Sequence, residues 1–232
     1  MTYNKTHRRG VSEKPEALTS SEACRGLRHR LKDVWLNTNI KVSPSHELLE
    51  ELKTAVFNYD FLAIEASLRK GAKCNLPYNH QGWTPFLRAC REFDETEIIE
   101  LFLKHGAKIN SKNKDGETPL HIMAQHRSSY DCLELLIVEG ANVDAQDNDG
   151  WTPLMNAVHH PQAMMRKDVI YGLAHNSDTS IKNKEGKTAY DIAKENKAFD
   201  DEKLLLILKP VDDLTEDDWH EIFQNAMGGN NE

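Results

Sequence analysis

The chain has 232 residues, 39% of them hydrophobic, and a formal net charge of -8 at pH 7. Its longest unbroken apolar run, residues 204–208, is far shorter than the roughly 20 residues that span a bilayer, which excludes a transmembrane helix. The acidic balance argues against broad affinity for nucleic acids, because that affinity depends on neutralising phosphates with cations.

The charge is unevenly distributed and divides the chain into three segments. Residues 1–45 carry a net charge of +5, residues 46–210 carry -6 and residues 211–232 carry -7. The first segment contains an amphipathic helical pattern over residues 22–40, with an apolar stripe that includes Leu27, Leu31 and Trp35. We expect this basic arm to cover the apolar end of the segment that follows; the alternatives are contact with a membrane, a partner's groove or phosphates.

Two short motifs recur in phase through residues 46–210 and indicate an internal repeat. The first is Gly-x-Thr-Pro followed by an apolar residue. It starts at Gly82, Gly116 and Gly150, and a variant with alanine in place of proline starts at Gly186, so the intervals are 34, 34 and 36 residues. The second is Gly-Ala-x-x-Asn/Asp at residues 71–75, 106–110 and 140–144, with a degenerate copy at 177–181.

Each motif has a physical explanation. Proline at the first helical position already has the φ angle of a helix, and a threonine before it can cap the helix. The glycine of the second motif falls where a helix ends and a left-handed residue is favoured. Apolar residues recur at helical spacing between the motifs, so each unit is predicted to be a helix, a short turn, a second helix and an outstretched hairpin.

This pattern resembles the ankyrin repeat family over about residues 46–209. The resemblance implies an all-α repeat solenoid of stacked helix-turn-helix units with short β-hairpin tips. We count five units, at about residues 46–78, 79–112, 113–146, 147–182 and 183–210. The first and last units are divergent and are expected to be caps, because no unit of this kind can bury its apolar face alone.

The resemblance also implies a binding surface. Partners of ankyrin repeats are usually proteins, which contact the hairpin tips and the inner helices along a concave face. The matching candidates in units two to four are Trp83, Arg88, Lys114, Glu117, Asp149, Trp151, Asn156, His159 and His160. Trp83 and Trp151 are the strongest of these, since they occupy equivalent tip positions and tryptophan is enriched at interface hot spots. Alternatively, each indole lies against its neighbouring hairpin and only supports the stack.

Unit four departs from the pattern by about three or four extra residues, which fall within residues 159–168 between its two helices. In repeat proteins such insertions map to loops on one face, often the binding face. The alternative is a tolerated loop without a binding role, because the entropy cost of closing a loop grows only slowly with its length.

No sequence motif suggests catalysis. Nucleotide-binding, zinc-protease and serine-hydrolase motifs do not occur, and the arms of about 45 and 22 residues are short for a catalytic domain. The four cysteines form no CxxC pair, and the adjacent His159 and His160 do not converge on one ion, so we expect no cofactor and no metal. The resemblance implies a structural hydrogen bond for His121.

We therefore predict a non-catalytic, monomeric module that binds a protein partner in the cytoplasm or the nucleus. The acidic tail, residues 211–232, is similar to that of bacterial ankyrin effectors, where it would act as a secretion signal into a host cell. Thr215 followed by acidic residues can also simply cap a short helix. The alternative function is a scaffold or regulatory subunit of an enzyme complex, with the partner supplying the chemistry.

Overall fold

The structure is a computed structural model that describes residues 44–222, apart from residues 127–128, 161, 164–165, 197–198, 200, 219 and 221. Within these residues the repeat array contains ten α-helices, two in each of the five predicted units. They are α1 (Pro44–Phe57), α2 (Phe61–Arg69), α3 (Pro85–Glu92), α4 (Thr96–Lys104), α5 (Pro119–Gln125), α6 (Tyr130–Val138), α7 (Pro153–His159), α8 (Lys167–Asn176), α9 (Ala189–Glu195) and α10 (Glu202–Leu208). The predicted all-α repeat solenoid is confirmed.

The helices lie in two layers. The first helices of the units, α1, α3, α5, α7 and α9, pack against one another in chain order, and the second helices form the other layer in the same order. An uninterrupted apolar core fills the space between the layers and includes the fully buried Leu52, Phe86, Met123 and Leu173. The two helices of each unit pack against each other and against those of the neighbouring units. Because a unit completes the burial of its apolar residues only against its neighbours, the stability of the array depends on stacking.

The predicted helix boundaries are confirmed at both ends. The hydroxyl oxygens of Thr84, Thr152 and Thr188 accept hydrogen bonds from backbone N–H groups three residues further on, at the starts of α3, α7 and α9. The glycines that follow the second helices of units one to three, Gly71, Gly106 and Gly140, have φ angles of 89°, 80° and 91°. This left-handed conformation is accessible to glycine without a steric penalty.

The hairpin tips differ in one detail from the predicted β-hairpins, because each is a turn and no strand occurs among the described residues. In unit three, the N–H of Asn113 donates to the carbonyl of Glu117 at 3.1 Å. The side-chain oxygen of Asn113 accepts from the N–H groups of Asp115 and Glu117 at 3.0 and 2.9 Å. A side-chain acceptor therefore replaces the further ladder bonds that a strand would need.

Neighbouring tips are joined by backbone hydrogen bonds. The N–H groups of Lys114, Asn148 and Lys184 donate to carbonyls of the preceding tip, Gln81, Asp115 and Asp149, at 2.9, 2.9 and 3.0 Å. Gly116 has a φ angle of 84°, and a Cβ atom there would lie 2.7 Å from the backbone nitrogen of Asn148. The tips of units two to five thus form one continuous row, which we call the tip row.

Some predicted features lie beyond this description. Residues 1–43, which hold most of the basic arm, lie outside the described residues, and the division into arm, array and tail remains a prediction. No helix in the described part of the chain has both the length and the apolar character needed to cross a membrane.

We predict that Gly116→Ala destabilises the array more than Gly186→Ala does. Both glycines have a positive φ, 84° and 78°, so each substitution forces alanine into a conformation that costs about 1–2 kcal/mol. Only at Gly116 does the new Cβ meet the next tip, whereas nothing lies within 4 Å at Gly186. Overpacking adds about 1–3 kcal/mol. Urea unfolding of both variants measures the difference, and equal losses would show that tip packing is unimportant.

Candidate partner-binding surface

The first helices and the tip row form one face, which we call the tip-and-helix face. In each unit from two to five, the tip side chain contacts the side chain eight positions later, near the end of the first helix. The Arg91 guanidinium lies 5.7 Å from the ring centroid of Trp83. The rings of Trp151 and His159 meet edge to face, with centroids 5.1 Å apart. The tip residue lies two positions before the helix begins, so this contact runs alongside the first two turns of the helix.

The two remaining units use polar groups for the same contact. In unit three, the Gln125 amide donates to a carboxylate oxygen of Glu117 at 2.8 Å. In unit five, the Lys187 ammonium donates to Glu195 at 2.7 Å, which raises the pKa of Lys187. We call the four contacts the tip–helix pairs. They place aromatic, acidic, aromatic and basic tip residues in succession along the tip row.

The pairs show how the two tryptophans are held. Both indoles are half-buried and pack against the edge of the apolar core. Each contacts the first helix of its own unit, and Trp151 also shares a groove with Glu185 and Lys187 of the next tip. The alternative that the indoles support the stack therefore stays open. A half-buried tryptophan supports its own unit and still presents part of its ring to solvent, so support and binding are compatible at these positions.

The other candidate residues divide into exposed and enclosed groups. Lys114 and Asp149 are exposed at the tips, as predicted. The Arg88 guanidinium faces unit one, where it lies 4.4 Å from the ring centroid of Phe57 and 2.8 Å from a Glu92 oxygen. Asn156 is only 9% exposed, because it lies within the layer of first helices. Its contact with a partner remains a prediction, and little of its side chain is accessible for such a contact.

The adjacent histidines separate in the structure. His159 contacts Trp151, whereas Nδ1 of His160 accepts a hydrogen bond from the N–H of Gln162 at 3.1 Å. Within the described residues, no group of three or more His, Cys, Asp or Glu side chains lies close enough to hold a metal ion.

A groove of about 460 Å³ opens beside the second tryptophan. Its apolar walls are Trp151 and Ile192, and its polar rim includes His159, Lys187 and Glu195. Grooves of this size accept one or two side chains of a partner. The exposed part of Trp151 is thus a wall of a depression rather than an isolated ring.

His121 joins the core of unit three to the tip of unit four. The N–H of Thr118 donates to Nδ1 of His121 at 3.2 Å, so Nε2 carries the proton and donates to the carbonyl of Trp151 at 2.9 Å. Burial lowers the pKa of His121, which favours this neutral form. The predicted structural hydrogen bond of His121 is confirmed, and it also fixes the backbone of Trp151.

The insertion in unit four has a structural role in its described residues. The Arg166 guanidinium donates to the carbonyls of Ala124 and Met123, at 2.7 and 2.9 Å, and so satisfies the C-terminal end of α5. Helix ends leave carbonyl groups without intrahelical partners, and a cation there also interacts favourably with the helix dipole. The binding-loop interpretation is not needed to explain this segment.

Sequence reasoning missed one position that organises the surface. The residue three before each tip glycine is Asn79, Asn113, Asp147 or Asn183, and its side-chain oxygen accepts two backbone N–H bonds in every tip from unit two to unit five. The signal was present, because Asn or Asp recurs there in phase with the glycines. The tip–helix pairs carry no comparable signal, since their residue types differ from unit to unit.

The chain matches a family model described as ankyrin repeats (3 copies) over residues 52–147 and 121–217. It is 34% identical over 83 residues to the human 2-5A-dependent ribonuclease, covering 36% of this chain and 10% of that protein. It is 35% identical over 68 residues to the mouse 2-5A-dependent ribonuclease, covering 29% of this chain and 9% of that protein. The chain therefore spans a tenth or less of these curated relatives.

We predict that the array loses stability as the pH falls below about 6.5, the ordinary pKa of histidine, because of His121. The pKa of His121 is lowered in the folded chain, so as the pH falls the unfolded chain takes up a proton at this residue before the folded chain does. The loss of stability is complete once the pH lies below the pKa of the folded chain. His121→Gln is expected to flatten this dependence, at a cost of about 1–3 kcal/mol near pH 7.5. Urea unfolding between pH 5 and about 7.5 tests this, with the exposed His175→Gln as control; an unchanged slope in His121→Gln would contradict it.

We predict that Arg166→Met destabilises the array by about 1.5–3 kcal/mol, because two buried carbonyls lose a charged donor. The control is Arg69→Met, which removes an exposed ion pair with Glu65 and should change stability by less than about 0.5 kcal/mol. Thermal unfolding of both variants measures the effect. Equal stabilities of the two variants would contradict this role and support the alternative that the insertion is a tolerated loop.

Proposed function

The chain belongs to the ankyrin repeat family, and we propose that it binds a protein partner through the hairpin tips and first helices of units two to four. Ankyrin repeats are protein–protein interaction modules. The observation that supports this particular surface is the pair of contacts Trp83–Arg91 and Trp151–His159. They hold two partly exposed indoles at equivalent positions, two units apart.

The rigidity of the tip row favours this surface over other exposed parts of the array. Association has an entropy cost when loops or side chains are ordered on binding, and preorganised groups reduce that cost. The backbone bonds between tips and the contacts of each indole with its own helix order these groups in advance. Tryptophan and arginine are also the residue types most enriched among hot spots.

The spacing of the indoles restricts the partner. Packed helices lie about 8–10 Å apart, so two units separate the indoles by about 16–20 Å. An extended segment covers this distance in about five or six residues. We propose that the partner presents two apolar side chains at this separation and a donor group between them, opposite Glu117.

We propose that the chain itself is non-catalytic. Two pKa shifts in the core follow from burial, which raises the pKa of the Cys90 thiol well above its usual range and lowers that of His121. A buried thiol of raised pKa is a poor nucleophile. The similarity to proteins named as ribonucleases concerns a tenth or less of their length and does not transfer their activity.

A regulatory subunit or scaffold of an enzyme complex is the second candidate function. It is favoured by the fact that, in the curated relatives, similar repeats occur within proteins named as ribonucleases. In this case the partner bound at the tip-and-helix face supplies the chemistry. Measuring the activity of the captured complex with and without the chain separates this candidate from simple tethering.

A monomer in a reducing compartment, the cytoplasm or the nucleus, is the setting we propose. The described Cys74 and Cys132 are buried thiols rather than disulfides, which supports such a compartment.

The secretion-signal interpretation of the acidic tail remains a prediction, and deleting residues 211–232 in a delivery assay tests it. A structural role has support of its own: Asp218 accepts from Lys209 at 2.5 Å and from Thr215 at 2.7 Å, which lowers its pKa to about 2.

We predict that Trp83→Ala combined with Trp151→Ala lowers the affinity for the partner by at least about 30-fold, the effect of one hot-spot residue. The matched control is Val138→Ala with Tyr171→Ala, which changes exposed apolar side chains of the second helices. The partner is first captured from lysate with the full chain, and its affinity for each purified variant is then measured by calorimetry.

Because the indoles are half-buried, a second variant avoids the core. Lys114→Glu with Asp149→Lys reverses two exposed tip charges. We expect this variant to bind the same partner more weakly without a change in melting temperature. Two results together would refute the proposed surface. The tryptophan variant would lose much stability but keep full affinity for the partner, and the charge variant would also keep full affinity.

A further inference from the structure

A second surface lies near the turn between α1 and α2. The side chains of Phe57, Tyr59, Phe61 and Leu62 are 43%, 59%, 41% and 73% exposed. They account for four of the nine large apolar side chains that are exposed in the described part of the chain, and they fall within six residues. Scattered exposed apolar residues are normal on soluble domains, whereas a contiguous group marks an interaction site.

Two of these side chains, Tyr59 and Phe61, line a groove of about 620 Å³ between units one and two, which we call the Tyr59 groove. Tyr59 and Phe61 line one side, and Phe93 and Ile98, which are almost completely buried, line the other. The groove lies at the C-terminal end of α3, whereas Trp83 precedes the N-terminal end of that helix. It is therefore separate from the tip row.

Tyr59 is held in place as a wall of the groove. Its φ angle is 56°, which makes it the one non-glycine residue at positive φ among those described. Its hydroxyl donates to Glu92 at 2.5 Å, and its ring centroid lies 5.3 Å from that of Phe93. The positive φ belongs to the end of α1, where the N–H groups of Tyr59 and Asp60 donate to the carbonyls of Val56 and Ala55 in a left-handed helix cap. A tyrosine at this position, where glycine is usual, places an aromatic ring beside the groove.

The rim of the groove carries uncompensated negative charge. Glu92 is paired with Arg88 at 2.8 Å, but no ion pair among the described residues involves Asp94, Glu95 or Glu97. These three residues are lining groups of the groove and are exposed. Burial and the neighbouring Glu95 raise the pKa of Asp94, and the more weakly acting Arg166 opposes this shift.

We propose that the Tyr59 groove binds a basic amphipathic segment of a partner protein. Apolar side chains of this segment pack against Tyr59, Phe61 and Ile98, while its lysine or arginine groups pair with Asp94, Glu95 and Glu97. Charge complementarity selects this occupant, because a neutral or acidic segment would partly desolvate three carboxylates without providing partners. The site does not depend on the proposed function of the tip-and-helix face.

The test uses the full chain and a labelled synthetic peptide of lysine and leucine, patterned as an amphipathic helix of roughly 15 residues. Fluorescence anisotropy measures its affinity. Replacing Asp94→Asn, Glu95→Gln and Glu97→Gln together is expected to weaken binding about tenfold or more, from the loss of three ion pairs. The matched control neutralises three exposed acids of unit three, Asp131→Asn, Glu134→Gln and Glu139→Gln, and should bind as the parent chain does.

A second variant tests the apolar wall without endangering the fold. Tyr59→Gly removes the ring with its contacts to Glu92 and Phe93, and the relief of the positive φ offsets this loss, so the variant should fold and bind the peptide several-fold more weakly. Equal affinities of the rim variant and its control would place the peptide elsewhere and overturn the proposal, as would equal binding of a peptide with glutamate in place of lysine. Tighter peptide binding after Arg25→Gln, Arg28→Gln and Arg30→Gln would assign the groove to the chain's own basic arm and also overturn it.

Discussion

Hydrogen bonds between successive hairpin tips join the units along the surface that we propose for partner binding. Each bond requires that one backbone approach the next closely, and a side chain on the glycine between them would prevent this: at Gly116 a Cβ atom would lie 2.7 Å from the next tip. The geometry that the tips share is in turn maintained by an Asn or Asp side chain that accepts hydrogen bonds from two backbone N–H groups, as Asn113 does in unit three. The tip side chains are therefore presented at regular intervals regardless of their identity.

Polar side chains tie the units together in a second way. Helix ends carry backbone groups that helix formation leaves without partners, and here the next unit supplies the missing donor. Arg166 of unit four donates to the end of α5, and Asn196 of unit five donates to the carbonyl of Val158 near the end of α7 at 2.7 Å. His121 reaches the backbone of Trp151. Stacking thus satisfies hydrogen bonds as well as burying apolar area, which couples the stability of each unit to the next.

The two surfaces differ in chemistry because their aromatic rings are held by different neighbours. Trp83 and Trp151 lie beside a basic or imidazole side chain of their own unit. Tyr59 lies beside an apolar floor and a rim of carboxylates. The net charge of -8 is an average over such regions and over the terminal segments. The net charge of the whole chain therefore does not indicate which partner each proposed surface would bind.

The sequence by itself determined the five units, their helix starts and the glycines of the turns. These features depend on local backbone geometry: proline and threonine favour a helix start, and only glycine adopts a positive φ without strain. Their periodic recurrence could be recognised without knowing any contact between distant residues. The same reasoning placed Trp83 and Trp151 at equivalent tips, because equivalence follows from the repeat spacing.

Only the tertiary structure decided how accessible each predicted residue is. Asn156 is buried between neighbouring first helices, and Arg166 turns inward to α5, because packing between units places them there. The tip–helix pairs use different residue types in each unit, and the Tyr59 groove combines two turns that are more than 30 residues apart in the chain. Such features depend on contacts across units, for which the periodic sequence pattern carries no information.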